Sequence, residues 1–365
     1  MRAMQDRYDI AIIGAGMAGA SLGAALKGAA RIVLLEAEST PGYHATGRSA
    51  AFWQETYGGP GVLPLTTASG PALAQMGVLR PRGGLHLARA QDIPALDAFV
   101  RKFADLGVDV RPVDRATAQS LVPALRADWV AAAIEPACQD IDVAALHAAY
   151  LAQLRQSGAT IATRSALVAA TRQSGAWHLT LANGQTLRAD VLVNAAGAWA
   201  DPVATIAGAS PLGITPYRRT MVQARTAPSL NDTLRLVMDI QGTFYFKPES
   251  GRLWLTPHDE TATPPCDAAP EEIDVATAID RLQQVVDWHV EAVEHKWAGL
   301  RSFAPDRLPV YGWDAHVAGL FWCAGQGGFG IQTAPAASAM AARLLLGQPG
   351  GAIDPAPYAA TRFTP

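Results

Sequence analysis

The chain opens with a short apolar run, Tyr8 to Ile13, that stops at Gly14. An unbroken apolar stretch of this length suits a parallel strand covered on both faces. Residues Ala18 to Lys27, dense in Ala and Leu, predict a helix, and a second apolar run from Arg31 to Leu35 ends at Glu36. Together they make a compact β-α-β unit, the usual opening of a nucleotide-binding fold.

From Pro41 to Gly61 no period holds, and the stretch is long for an ordinary connection. Between Leu79 and Ile134 short strands such as Gly84 to Ala88 alternate with helical stretches such as Ile93 to Leu106, as in an inserted lobe. Asp142 predicts the N-cap of a helix over Val143 to Gln156, with Leu146, Ala149, Tyr150 and Leu154 on one face and Gly158 near its end. A strand pair, Ala166 to Ala170 and Trp177 to Leu181, leads through the turn Asn183-Gly184 to the apolar strand Val191 to Ala195. Strands dominate from Ile214 to Leu255, and Ile279 to Val293 is expected to form an amphipathic helix. The Pro-rich Thr261 to Pro270 reads as a surface loop, and Thr333 to Leu346 as a helix behind a glycine cluster. Both lobes are therefore discontinuous in sequence.

Half of the 365 residues are apolar, enough for two packed lobes. The formal charge of -3 comes from well-mixed acids and bases without a run of Lys or Arg, so no nucleic-acid partner is expected. Cys138, Cys266 and Cys323 offer neither a disulfide framework nor a CxxC metal site; no metal is expected, and a reducing compartment fits. No secretory apolar core follows Met1, and no apolar stretch nears the roughly 20 residues of a membrane span. A cytoplasmic protein is expected; peripheral contact with the inner membrane would leave little trace and stays open.

Chemistry enters at Gly14-Ala15-Gly16-Met17-Ala18-Gly19, a GxGxxG set between strand and helix. Missing side chains there permit a tight turn and close approach of pyrophosphate oxygens. Glu36 lies 22 residues after the first glycine, at a strand end, where a carboxylate can accept ribose hydroxyls. The plainer reading is a crowded α/β turn and a solvated strand end. Arg48-Ser49-Ala50 could meet the pyrophosphate from another side, and Gly325-Gln326-Gly327-Gly328-Phe329-Gly330, ahead of a helix, could set backbone donors against a flavin's pyrimidine edge. Those two features favour FAD over a nicotinamide.

Gly42 to Ala51 (GYHATGRSAA) is similar, almost verbatim, to the flavin loop of D-arginine dehydrogenase-like members of the D-amino-acid oxidase superfamily, relatives of glycine oxidase-like enzymes. Val191 to Trp199, Arg218-Arg219, Trp297 to Phe303 and Gln326 to Thr333 agree as well, in the expected order across nearly the whole chain. The resemblance implies noncovalent FAD and an α/β (α+β) fold. In it a Rossmann-like FAD-binding domain (1-75, 140-210 and 296-365) carries a mixed-sheet substrate-binding domain (76-139 and 211-295) over the isoalloxazine. It further implies cofactor contacts at Gly14, Gly16, Gly19, Glu36, Arg48, Ser49, Ala50, Val168, Ala196, Gly197, Gly325, Gly327, Gly330 and Ile331, with His44 a hydrogen-bonding residue.

By the same resemblance Arg301 and Arg219 look like carboxylate-binding arginines, Tyr57 and Tyr245 like phenols on the substrate backbone, and Gly328 and Gln332 like the loop facing its amino group and side chain. The chemistry suits such a set, because a guanidinium fork grips two carboxylate oxygens and presents Cα to the flavin. Core aromatics, a surface cation at Arg219 and a structural ion pair at Arg301 are the plainer readings. The D-arginine-specific relatives hold a glutamate where this chain has Gly84, and a histidine where it has Phe52, with Gln54 nearby. A neutral, partly aromatic pocket is expected, bordered by His86 or Trp254 if register allows. Oxidative deamination of a neutral or apolar D-amino acid follows, with oxygen or a quinone as electron acceptor. Oxidation of a secondary amine such as sarcosine or proline, an NAD(P)-dependent dehydrogenase and a noncatalytic flavin-binding module are the alternatives.

Overall fold

The computed structural model describes residues 5–363. The apolar opening run becomes strand Arg7–Ile13 at the middle of an eight-stranded sheet, parallel to both Ile32–Leu35 and Thr186–Asn194. Ala11 and Ile12 are fully buried, as a strand covered on both faces requires. Helices Met17–Ala25, Val143–Gln156 and Ala334–Leu345 pack around Ile12, Leu22, Leu154 and Met340 on one face. Asp142 caps the second of these by accepting from the Ala145 amide at 2.9 Å. The other face is closed by Trp177, Leu179, Leu192 and Trp322. The turn at Asn183-Gly184 joins Ala176–Leu181 to Thr186–Asn194, while Ser174-Gly175 joins the preceding pair.

A second, ten-stranded mixed sheet gathers Gly84–Arg89, Arg111–Asp114 and Trp129–Glu135 with the strands between Thr215 and Phe303 and with Gln326–Gly327. Its longest pairing is Thr215–Ala227 against His289–Phe303, antiparallel, with Tyr217 opposite Arg301, Arg219 opposite Gly299 and Met221 opposite Trp297. Alternation sends the odd-numbered set toward the first lobe. Val222 and Ala224 lie in the core under helix Glu272–Val285, on the opposite side.

The helix expected over Ile279 to Val293 is corrected here. The helix ends at Val285, Asp287 N bonds to Ala124 O, and from His289 the chain is a strand that alternates exposed and half-buried positions. A partner strand paired along almost its full length overrides a local helical period. That strand also runs through the expected domain border at 296 and remains in the second sheet to Phe303. Among the described residues no helix is long and apolar enough to cross a membrane.

Candidate active site

The loop from strand Arg7–Ile13 into its helix is shaped by glycine. Gly14 has φ +100°, and a Cβ there would lie 2.5 Å from the Ala195 carbonyl oxygen; one on Gly19 would lie 2.0 Å from Gly14 O. Gly19 therefore seats the helix on the strand and stays off the cavity wall, whereas Gly14 and Gly16 line it. Glu36 is buried, with one carboxylate oxygen accepting from Ala15 N at 2.9 Å and the other from Glu38 N at 3.0 Å. Two fixed amides leave acceptor capacity on both oxygens. The same cavity runs past Ser49, Ala50, Ala196 and Gly197 to Gly327, Gly330 and Ile331. His44 meets Glu38 at 3.0 Å.

Several expected contacts fall elsewhere. Val168 sits at a register shift in its strand and is 51% exposed, so Ser165, Ala166 and Leu167 line the wall in its place. Gly325 does not line the cavity; a Cβ there would crowd Ile214 Cδ1 at 3.2 Å. The Arg48 side chain lines it, yet its guanidinium is bound by the Asp267 carboxylate and the carbonyls of Ala268 and Ala298. Gln54 is buried behind the wall, donating to Glu135 at 2.8 Å, and Gly84 lies beside both, also off the lining. A carboxylate thus does stand next to Gly84, on the neighbouring strand. It is spoken for: Glu135 also accepts from Thr56 N at 3.2 Å and Thr56 Oγ1 at 2.6 Å, with His86 at 3.5 Å. Burial pushes this carboxyl up, but the bonds from His86, Thr56 and Gln54 outweigh it and hold it below the ordinary range.

At the far end Arg301, Arg219, Tyr57, Tyr245, Phe52 and Gly328 line one chamber. Arg301 Nη2 donates to Tyr57 Oη at 2.5 Å. A Cβ on Gly328 would be 1.9 Å from that Nη2 and 2.5 Å from that Oη, so any side chain here would push the guanidinium and the phenol aside. Arg219 is buried; burial, then the charge of Arg301, brings its pKa down to about 10. Burial pushes the Tyr245 phenol up to about 12, and its hydroxyl rests on Met221 Sδ at 3.3 Å. Phe52 packs against both tyrosines. Gln332 reaches the lining, but its side chain is bonded to Gln54 N, Tyr57 O and Thr66 Oγ1, which anchors the Tyr57 loop.

Unanticipated neighbours are His258, Asp259 and Glu260, from the loop after strand Arg252–Thr256. Arg219 Nε donates to Asp259 O at 2.8 Å, and Glu260 meets both Arg219 and Arg301. Burial, then the charges of Arg219 and Arg301, keep His258 neutral, with its pKa down to about 2. Acidic residues in an aperiodic loop carry no signal that would have placed them there.

A family model described as FAD dependent oxidoreductase matches residues 9–344. The chain belongs to this family. It is 27% identical over 380 residues to the glycine oxidase of Geobacillus kaustophilus (strain HTA426), covering 98% of both chains. The crystal structure of glycine oxidase from Geobacillus kaustophilus superposes with a TM-score of 0.85 at 25% identity, over 98% of this chain and 99% of the other. Two more distant structures share the fold. They are L-proline dehydrogenase from P. horikoshii (TM-score 0.86, 19% identity, 99% and 98% covered) and iminodiacetate oxidase from Chelativorans sp. BNC1 (0.79, 20%, 96% and 98%).

The cavity fits the FAD of this family on its own chemistry. Glu36 supplies acceptors for ribose hydroxyls, Gly14 and Gly16 clear the floor for a pyrophosphate, and Met17 N, held by Thr46 Oγ1 at 2.9 Å, opens the helix facing it. Gly327, Gly330 and Ile331 would then border the flavin ring beside the arginine chamber. The protein is an FAD-dependent oxidoreductase.

Proposed function

We propose that this flavoenzyme oxidises the C–N bond of a small neutral D-amino acid, releasing a 2-oxo acid and ammonia after hydrolysis of the imine. The observation that carries the proposal is the pair of guanidiniums, buried Arg219 and half-buried Arg301, in one chamber with Tyr57 and Tyr245. Bound FAD supplies the hydride acceptor at N5. Arg301 and Arg219 offer N–H donors to the substrate carboxylate, as charge-assisted bonds that are stronger than neutral ones. The Tyr57 hydroxyl, already on Arg301, extends that grip, and Gly328 gives the substrate amino group room beside the backbone.

Phe52, Met221 and Tyr245 confine the side chain, and among the described residues no His, Asp or Glu lines this end of the cavity, since Glu36, Glu38 and His44 lie at its ribose end. The chamber therefore favours neutral side chains. With no carboxylate or imidazole among the described residues of this wall, positioning does most of the work and the amine must arrive uncharged. Anaerobic mixing with D- and L-alanine, methionine and phenylalanine tests this. Bleaching of the flavin by the D-enantiomers at least about tenfold faster is expected, and equal or reversed preference contradicts it. Admission of air then separates oxygen from a quinone as electron acceptor.

Secondary amines are the second reading. The same clamp would hold sarcosine or proline, and the fold neighbours include an L-proline dehydrogenase and an iminodiacetate oxidase. Reduction by N-methyl amino acids but by no primary amino acid would select it.

A further inference from the structure

Three guanidinium groups meet on one carboxylate outside the cavity wall. Glu260 Oε1 accepts from Arg219 Nη2 at 3.3 Å, from Arg301 Nη1 at 3.2 Å and from Arg307 Nη2 at 2.9 Å, and Oε2 accepts from the same Arg307 nitrogen at 3.0 Å. Side-chain exposure falls along this row, from 48% for Arg307 through 32% for Glu260 and 13% for Arg301 to 7% for Arg219. The row thus leads from solvent to the substrate chamber. Arg219 and Arg301 line that chamber while Glu260 does not, so its carboxylate grips the pair from behind.

Two cations this close, one buried and one half-buried, repel, and a shared anion between them offsets the repulsion. Arg307 reaches Glu260 from a left-handed residue, φ +65°, with its guanidinium 3.9 Å over the Phe303 ring. A β-substituted residue adopts that backbone at a cost, which the ion pair and ring contact help to hold.

We infer that Glu260 is a positioning residue. Its carboxylate draws Arg219 and Arg301 into a single jaw the width of a carboxylate and sets the positive charge that jaw shows to an arriving anion, with Arg307 as the outer anchor. The inference rests on the amino-acid reading above, since it assigns the jaw to a substrate carboxylate.

Titration of the FAD-loaded protein with propionate, followed by flavin absorbance, tests it without turnover. Glu260→Gln keeps an acceptor oxygen and removes the charge, so propionate should bind about fivefold more tightly. Glu260→Ala removes the bridge as well, and the jaw opens; binding should be weaker than in the unmodified protein, and kcat should fall at least about tenfold while Glu260→Gln keeps kcat within about threefold. Arg307→Gln, on the exposed side, removes one positive charge and should weaken propionate about fivefold. Equal shifts in the Gln and Ala variants would reduce Glu260 to a charge and overturn the positioning role, as would no shift in either. Absence of any propionate response in the unmodified protein would sink the carboxylate clamp itself, and this inference with it.

Discussion

At the scale of single residues, the chamber depends on contacts that leave no slack. Gly328→Ala would drive a methyl into Arg301 and Tyr57, and a displacement of about an ångström at a binding fork costs on the order of a hundredfold in rate. The expected outcome is a loss of about a hundredfold in kcat/KM with flavin content unchanged; a near-normal rate would show that the guanidinium is not the anchor. Arg219 makes a second point through pH. Its lowered pKa of about 10 means it is charged below that value and neutral above it, so the clamp loses one cation as pH rises through 10. The inhibition constant of a simple monocarboxylate should climb above pH 10, and Arg219→Gln should flatten that rise. Arg301 and Arg219 could be picked out from the resembling motifs. The bonds of Glu260 and His258 could not, because they depend on where an aperiodic loop lands.

At the scale of elements, strand register decides which side chains reach the site. Thr215–Ala227 and His289–Phe303 pair so that Arg219 and Arg301 share a face, while Arg218 turns to Glu271 and Asp274 on the other. One residue of slip would exchange them. The same rule removed Val168, displaced by a bulge, whereas Gln54, just past the end of strand Phe52–Trp53, leaves the wall because its side chain turns to Glu135. The loop bearing Tyr57 is held by Gln332 on one side and by Glu135 on the other. Glu135→Ala would strand three donors in a dry site, Gln54 Nε2, Thr56 N and Thr56 Oγ1, at about 1–3 kcal/mol each, and release Tyr57. A double-mutant cycle checks this: Glu135→Ala should raise KM about tenfold alone and add little once Tyr57→Phe is present, and additive losses would contradict it. The β-α-β opening and the helix capped by Asp142 were legible because their signals are local. The strand from His289 was not, since its partner lies some seventy residues upstream.

At the scale of the molecule, two sheets meet along one elongated cavity, with the nucleotide-binding loops at one end and the arginine jaw at the other. Discontinuity lets the last glycine segment return beneath both: Gln326–Gly327 pairs with the end of His289–Phe303, and helix Ala334–Leu345 packs back on Met17–Ala25. Resemblance and composition anticipated two lobes, but the border at 296 fell inside a strand because the pairing that extends it is invisible locally. The proposed function makes one demand of this architecture, that an anion held at Arg301 present its α-carbon to the flavin. Anaerobic stopped-flow reduction of the bound flavin by D-alanine and by D-alaninamide, alike except for the carboxylate, tests that demand most directly. Bleaching by D-alanine at least about a hundredfold faster is predicted, whereas equal rates from the two would contradict a carboxylate-anchored mechanism.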